Sequence, residues 1–89
     1  MVSEELKVIN PSGLHLRPAG NLCKEALKYD SEINIIFKDA TANAKGVLSV
    51  LAACVKCGDT IKITCDGRDE KEALEALKNL INSGFGELK

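Results

Sequence analysis

Asn10-Pro11-Ser12-Gly13-Leu14-His15-Leu16-Arg17-Pro18 joins a strand-like pattern to a helical one and holds the chain's single histidine. Leu6-Lys7-Val8-Ile9 before it is short and β-branched at its end, which predicts a first strand. Asn10 to Gly13 is a run of turn formers that stops that strand. After it, Ala19, Leu22, Cys23 and Ala26 fall at i, i+3, i+4 and i+7, the spacing of one apolar helix face. Lys28-Tyr29-Asp30 closes the helix.

Outward from this junction the periods keep switching. Glu32 to Phe37, with Ile33, Ile35, Ile36 and Phe37, predicts a second strand. Lys38-Asp39-Ala40 predicts a turn and Thr41-Ala42-Asn43 a brief third strand. Gly46 to Val55 reads as a short helix, and Lys56-Cys57-Gly58-Asp59 as a turn. Thr60 to Cys65 alternates, with Ile61, Ile63 and Cys65 on one side and Thr60, Lys62 and Thr64 on the other. Asp66-Gly67-Arg68 turns again. Asp69 stands three residues before Glu72, a capping-box spacing. Ala73, Leu74, Leu77, Leu80 and Ile81 form the stripe of a last helix, which Gly84 stops. The order β-α-β-β-α-β-α, with strands alternating in polarity, predicts an α+β two-layer sandwich: one antiparallel sheet with helices on one face.

The 89 residues suffice for a single domain over 1–89 with one modest core. Net charge is −1, no basic cluster occurs, and only Tyr29, Phe37 and Phe85 could stack on bases, so a nucleic-acid partner is not expected. Met1-Val2-Ser3-Glu4-Glu5 lacks the basic and apolar segments of a signal peptide, and no run has the length of a membrane span. A cytoplasmic location without membrane insertion is the expectation. Cys23, Cys54, Cys57 and Cys65 should then stay thiols. Cys54 and Cys57 have C-x-x-C spacing, but no second ligand pair accompanies them. The favoured reading is four small buried or half-buried hydrophobes; a metal- or thiol-binding module using Cys54 and Cys57 is the alternative.

The junction carries the chemistry. If the helix begins at Leu16, His15 is its N-cap, and the first helical N–H groups have no intrahelical partners. Such an end is partly positive and takes up phosphate readily. Pro18 suits the first turn, where its missing N–H costs no ladder bond. Gly13 permits a sharp turn just before the site. Arg17 adds a planar, charged fork of donors. Positive surroundings favour an uncharged ring, whose lone pair is a competent nucleophile toward phosphorus. The plain alternative is that His15 only caps the helix. With no second histidine and no carboxylate in the motif, a hydrolytic triad or histidine metal site has little support.

Gly13-Leu14-His15-Leu16-Arg17-Pro18-Ala19 resembles the active-site signature of the HPr family, the histidine-containing phosphocarriers of the bacterial sugar phosphotransferase system. The likeness runs over essentially the whole chain. It implies an open-faced β-sandwich, four antiparallel strands covered on one face by three helices. It implies a carrier rather than an enzyme: His15 accepts a phosphoryl group at Nδ1 from phosphorylated enzyme I and passes it to sugar-specific IIA domains. Arg17 is then the phosphate-stabilising residue, with Ser12, Leu16 and Pro18 supporting the site; Ser12 reads equally well as a plain turn residue.

A carrier that docks two proteins needs an exposed apolar patch. Leu16, Gly20, Lys24 and Leu27 form a second stripe on the first helix, and the resemblance adds Val47, Leu48 and Leu51 of the short helix. Lys24 and Lys45 would attract acidic partner surfaces. The competing reading makes the apolar members simple core. No cofactor or metal is implied, and a monomer is expected. Relatives from low-GC Gram-positive bacteria carry a kinase-regulated serine where this chain has Gly46, so that regulation is not expected; Ser49, one turn on, is a poor substitute. A specialised paralogue in a regulatory phosphorelay remains an alternative reading of the same residues.

Overall fold

Ile33 and Ile35 in one strand and Ile61 and Ile63 in another are almost wholly buried. Burying each such side chain contributes roughly 1.5–3 kcal/mol, which makes these two strands the centre of the sheet. The computed structural model describes residues 1–87. In chain order these form β1 (Val2–Lys7), α1 (Leu16–Ala26), β2 (Glu32–Phe37), β3 (Ala40–Asn43), α2 (Val47–Ala52), β4 (Thr60–Asp66) and α3 (Glu70–Asn82), then a 3-10 turn over Gly84–Gly86. The sheet order is β1-β4-β2-β3, and every neighbouring pair is antiparallel. Ile35 stands opposite Ile63 and Ile33 opposite Cys65, while Leu6 of β1 faces Ile61.

The helices cover one face. Ala19, Leu22, Cys23 and Ala26 of α1, Val50 of α2, and Ala73, Leu77 and Ile81 of α3 are buried over it. Alternate strand residues such as Glu32, Thr60 and Lys62 remain exposed. The open-faced α+β sandwich expected from the sequence is the architecture observed.

Several boundaries differ from the sequence reading. The first strand runs over Val2–Lys7, not Leu6 to Ile9. Ser3, Glu4 and Glu5 disguise it, but β1 is an edge strand, where charge is tolerated and even protective. Glu4 lies on the same alternation as Leu6, and its carboxylate pairs with Lys78 of α3 at 3.0 Å. Ala40 belongs to β3 rather than to the turn. The short helix is confined to Val47–Ala52, with Gly46 as its N-cap. The capping box does not form: Asp69 is the N-cap of α3 but makes no side-chain capping bond. Its carboxylate instead accepts from the N–H groups of Asp30 and Ser31, at 2.8 and 2.9 Å, and from the Ser31 hydroxyl. Gly84 does stop α3, which ends at Asn82, and the chain then makes the 3-10 turn over Gly84–Gly86.

Candidate functional site

The loop between β1 and α1 is pinned to the loop between α2 and β4. Val8 N–H donates to Asp59 O at 2.8 Å, Gly58 N–H to Val8 O at 2.7 Å, and Leu14 N–H to Val55 O at 3.0 Å. Within the first loop, Gly13 N–H donates to Asn10 O at 3.0 Å and the Asn10 amide to Gly13 O at 2.8 Å. Gly13 has a φ of +63, and a Cβ there would lie 2.7 Å from both Lys56 Cα and Val55 O. Glycine is needed for the conformation and for the close approach. Leu14, 3% exposed, plugs the core immediately before the histidine.

His15 is the N-cap of α1, in extended backbone (φ −77, ψ −173), and its side chain makes no capping bond. The imidazole is exposed rather than spent on the helix. The first helical hydrogen bond runs from Ala19 N–H to His15 O at 2.8 Å. The amides of Leu16 and Arg17 precede it and lie at the positive end of the helix. Pro18 is buried in that first turn. Arg17 is exposed beside the histidine in sequence and adds a full charge. His15, Ser12, Leu14, Leu51, Cys54, Val55 and Lys56 line one shallow groove.

The docking candidates divide. Leu16 and Leu27 on α1 are each 62% exposed and Leu48 on α2 is 81% exposed, so none of them serves the core. Val47, Leu51 and Gly20 are half-buried, and α1 packs against α2, which puts these side chains on neighbouring surfaces. Lys24 is exposed. Lys45 is half-buried, and its ammonium donates to Tyr29 O at 2.7 Å, beyond the end of α1.

The cysteines also divide. Cys23 and Cys65 are buried, but Cys54 and Cys57 are exposed, because the loop after α2 carries them on the surface. That corrects the reading of all four as buried or half-buried hydrophobes. Among the described residues no group of three or more potential ligands could hold a metal ion. Nor is any described helix long and apolar enough to cross a membrane.

One contact has no counterpart in the sequence reading. Glu87, after the 3-10 turn, accepts from the Ser12 hydroxyl at 2.7 and 2.9 Å through its two carboxylate oxygens. These bonds, together with Asn10 and the charge of Arg17, hold the Glu87 carboxyl below the usual carboxylate range. Ser12 is therefore more than a turn residue.

Comparison with known proteins bears on the family and the fold. A family model described as the PTS HPr component phosphorylation site matches residues 2–83. The phosphocarrier protein HPr of Treponema pallidum (strain Nichols) is 33% identical, over 98% of this chain and 99% of its own. A crystal structure of HPr-C-His from Thermoanaerobacter tengcongensis superposes with a TM-score of 0.97 at 35% identity, covering 100% of both chains. A structure described as an HPr dimer from the same organism gives 0.79 at 36% identity, covering 98% of this chain and 100% of that one.

Proposed function

The chain belongs to the HPr family of phosphotransferase-system phosphocarriers, and from that premise we propose that His15 receives a phosphoryl group from phosphorylated enzyme I and hands it to sugar-specific IIA domains. The observation that carries this reading is an exposed imidazole at the N-terminus of α1 that makes no capping bond of its own. An uncharged ring nitrogen, Nδ1 by the family resemblance, supplies the electron pair of the new N–P bond. The donor's bond to phosphorus breaks, and its pair leaves with the donor. The first-turn amides and Arg17 then meet the phosphoryl oxygens, where charge-assisted bonds are strongest. Donation to the next protein is the same step reversed. This chain is thus a substrate of phosphotransferases that acts as a single domain in the cytoplasm.

Leu16, Leu27 and Leu48 supply the apolar docking face around the histidine, with Gly20, Val47 and Leu51 between them and Lys24 on its margin. Lys45 contributes by fixing Tyr29 more than by meeting a partner. A monomer presents this face to both partners in turn. Serine-kinase control is absent, since Gly46 carries no hydroxyl and the Ser49 hydroxyl is already engaged by Asn43 N–H at 3.0 Å. The test is a relay. With phosphoenolpyruvate, enzyme I and a IIA domain, the IIA domain should become phosphorylated only when this protein is present. Equal IIA labelling without it would refute the proposal.

A further inference from the structure

Gly20 lies in the middle of α1, one turn after Leu16, and is half-buried. A glycine inside a helix is less favourable than alanine, by roughly two- to five-fold in the folding equilibrium. Within a fold, such a glycine is explained by an unusual backbone angle or by a close neighbour. Neither exists here. Gly20 does not have a positive φ, and a Cβ built on it would meet nothing within 4 Å. Gly13 is the contrast, since a Cβ there would strike backbone at 2.7 Å. The fold therefore gains nothing from the missing side chain at position 20.

The surroundings point outward. Leu16 and Leu27, on the same stripe of α1, and Leu48, on the neighbouring α2, are the large exposed leucines of this face. They flank a residue with no side chain, so α1 presents a notch with an apolar rim. Resting on the carrier reading above, we propose that Gly20 is a specificity-determining residue whose notch seats one large apolar side chain of the phosphoryl donor, enzyme I. The close approach that glycine permits is then used between two proteins rather than within one. An apolar anchor seated in a fitted, water-free pocket carries much of an interface's binding energy. The donor is the occupant because it is the one constant partner. A fitted notch serves a single shape, whereas sugar-specific acceptors, being several, share only the rim. Gly20 acts on docking alone; it touches neither the phosphoryl group nor the imidazole.

The parent is compared with Gly20→Ala, which adds one methyl group, and with Gly20→Leu, which fills the notch. Thermal unfolding is measured for each, and phosphoryl transfer from enzyme I is followed over a range of carrier concentrations. Gly20→Ala should unfold about 2–8 °C higher, because alanine is the better helix former and the space above it is free. Its KM for transfer from enzyme I should nonetheless rise about five-fold or more, and that of Gly20→Leu further, since a methyl group inserted into a filled contact forces its neighbours to shift. The loss should fall on KM more than on kcat. Opposite signs in the two measurements are the signature: a more stable protein that docks less well. A KM within about two-fold of the parent in both variants would overturn the proposal. So would a lower midpoint in Gly20→Ala, which would give the glycine a role inside the fold. A loss confined to transfer onto a IIA domain would give the notch a different occupant and overturn it as well. A parent protein that takes no phosphoryl group on His15 would instead overturn the carrier reading itself.

Discussion

The Asp69 carboxylate accepts both the N–H and the hydroxyl of Ser31, and so ties the start of α3 to the link between α1 and β2. Ser31 is completely buried, which makes this one of the few polar contacts inside the fold. A buried hydroxyl left without a partner is costly, so the corner depends on Asp69 staying ionised.

That dependence sets an acid limit. Bonds from the Ser31 hydroxyl first, then from the Asp30 and Ser31 amides, hold the Asp69 carboxyl below its ordinary value. A carboxylate lowered by folding contributes stability above its unfolded pKa of about 3.9, and loses it as pH falls through the lower folded value. In urea unfolding at a series of pH values, the parent should lose stability below about pH 4. Asp69→Asn should be weaker at neutral pH and less sensitive to acid. Parallel curves for the two proteins would contradict the assignment.

Gly13→Ala should destabilise by about 2 kcal/mol or more, because a left-handed residue with a Cβ costs about 1–2 kcal/mol before any clash is counted. The clash here is with backbone, which cannot rotate away. Gly46→Ser provides the contrast. A Cβ at Gly46 would approach nothing nearer than 3.6 Å, and the residue is not left-handed. Its denaturation midpoint should shift by no more than about 0.5 kcal/mol equivalent.

Leu48→Glu should separate docking from folding. At 81% exposure Leu48 contributes little to the core, so stability should change by less than about 0.5 kcal/mol. Phosphoryl transfer from enzyme I should slow by roughly ten-fold or more, the consequence of losing an apolar anchor worth about 1.4 kcal/mol. Steady-state transfer rates over a range of carrier concentrations measure it, with the loss expected mainly in KM.

Thiol reactivity should follow burial. Cys54 and Cys57 should react promptly with a chromogenic disulfide at pH 8, whereas Cys23 and Cys65 should react only on unfolding. Burial, then the charges of Glu70 and Asp69, push the Cys65 thiol up to about 11. A thiol raised by folding contributes stability that is complete below its unfolded pKa of about 8.5 and is lost as pH climbs through the folded value. The protein should therefore weaken between about pH 9 and pH 11, and Cys65→Ala should flatten that limb.

The sequence was legible where one physical rule acted alone. The apolar repeats of α1 and α3 and the alternation of β4 each follow a single period, and a buried face enforces it. His15 as the N-cap of α1 was readable because Gly13 and Pro18 mark the two sides of the junction. β1 was displaced because an edge strand needs only alternate apolar residues, and Lys78 satisfies the charge of Glu4. Asp69 misled because its spacing to Glu72 fits a cap, while tertiary structure offered it Ser31. The link between Glu87 and Ser12 spans 75 positions, so no local pattern could announce it.

One labelling experiment bears on all of this. The parent and His15→Ala proteins are incubated with enzyme I and labelled phosphoenolpyruvate, and the modified residue is mapped by mass spectrometry. The parent should take up one acid-labile, alkali-stable phosphoryl group on His15, and His15→Ala should take up none. Equal labelling of His15→Ala, or a phosphoryl group mapped to any other side chain of the parent, would contradict the reading of His15 as the acceptor.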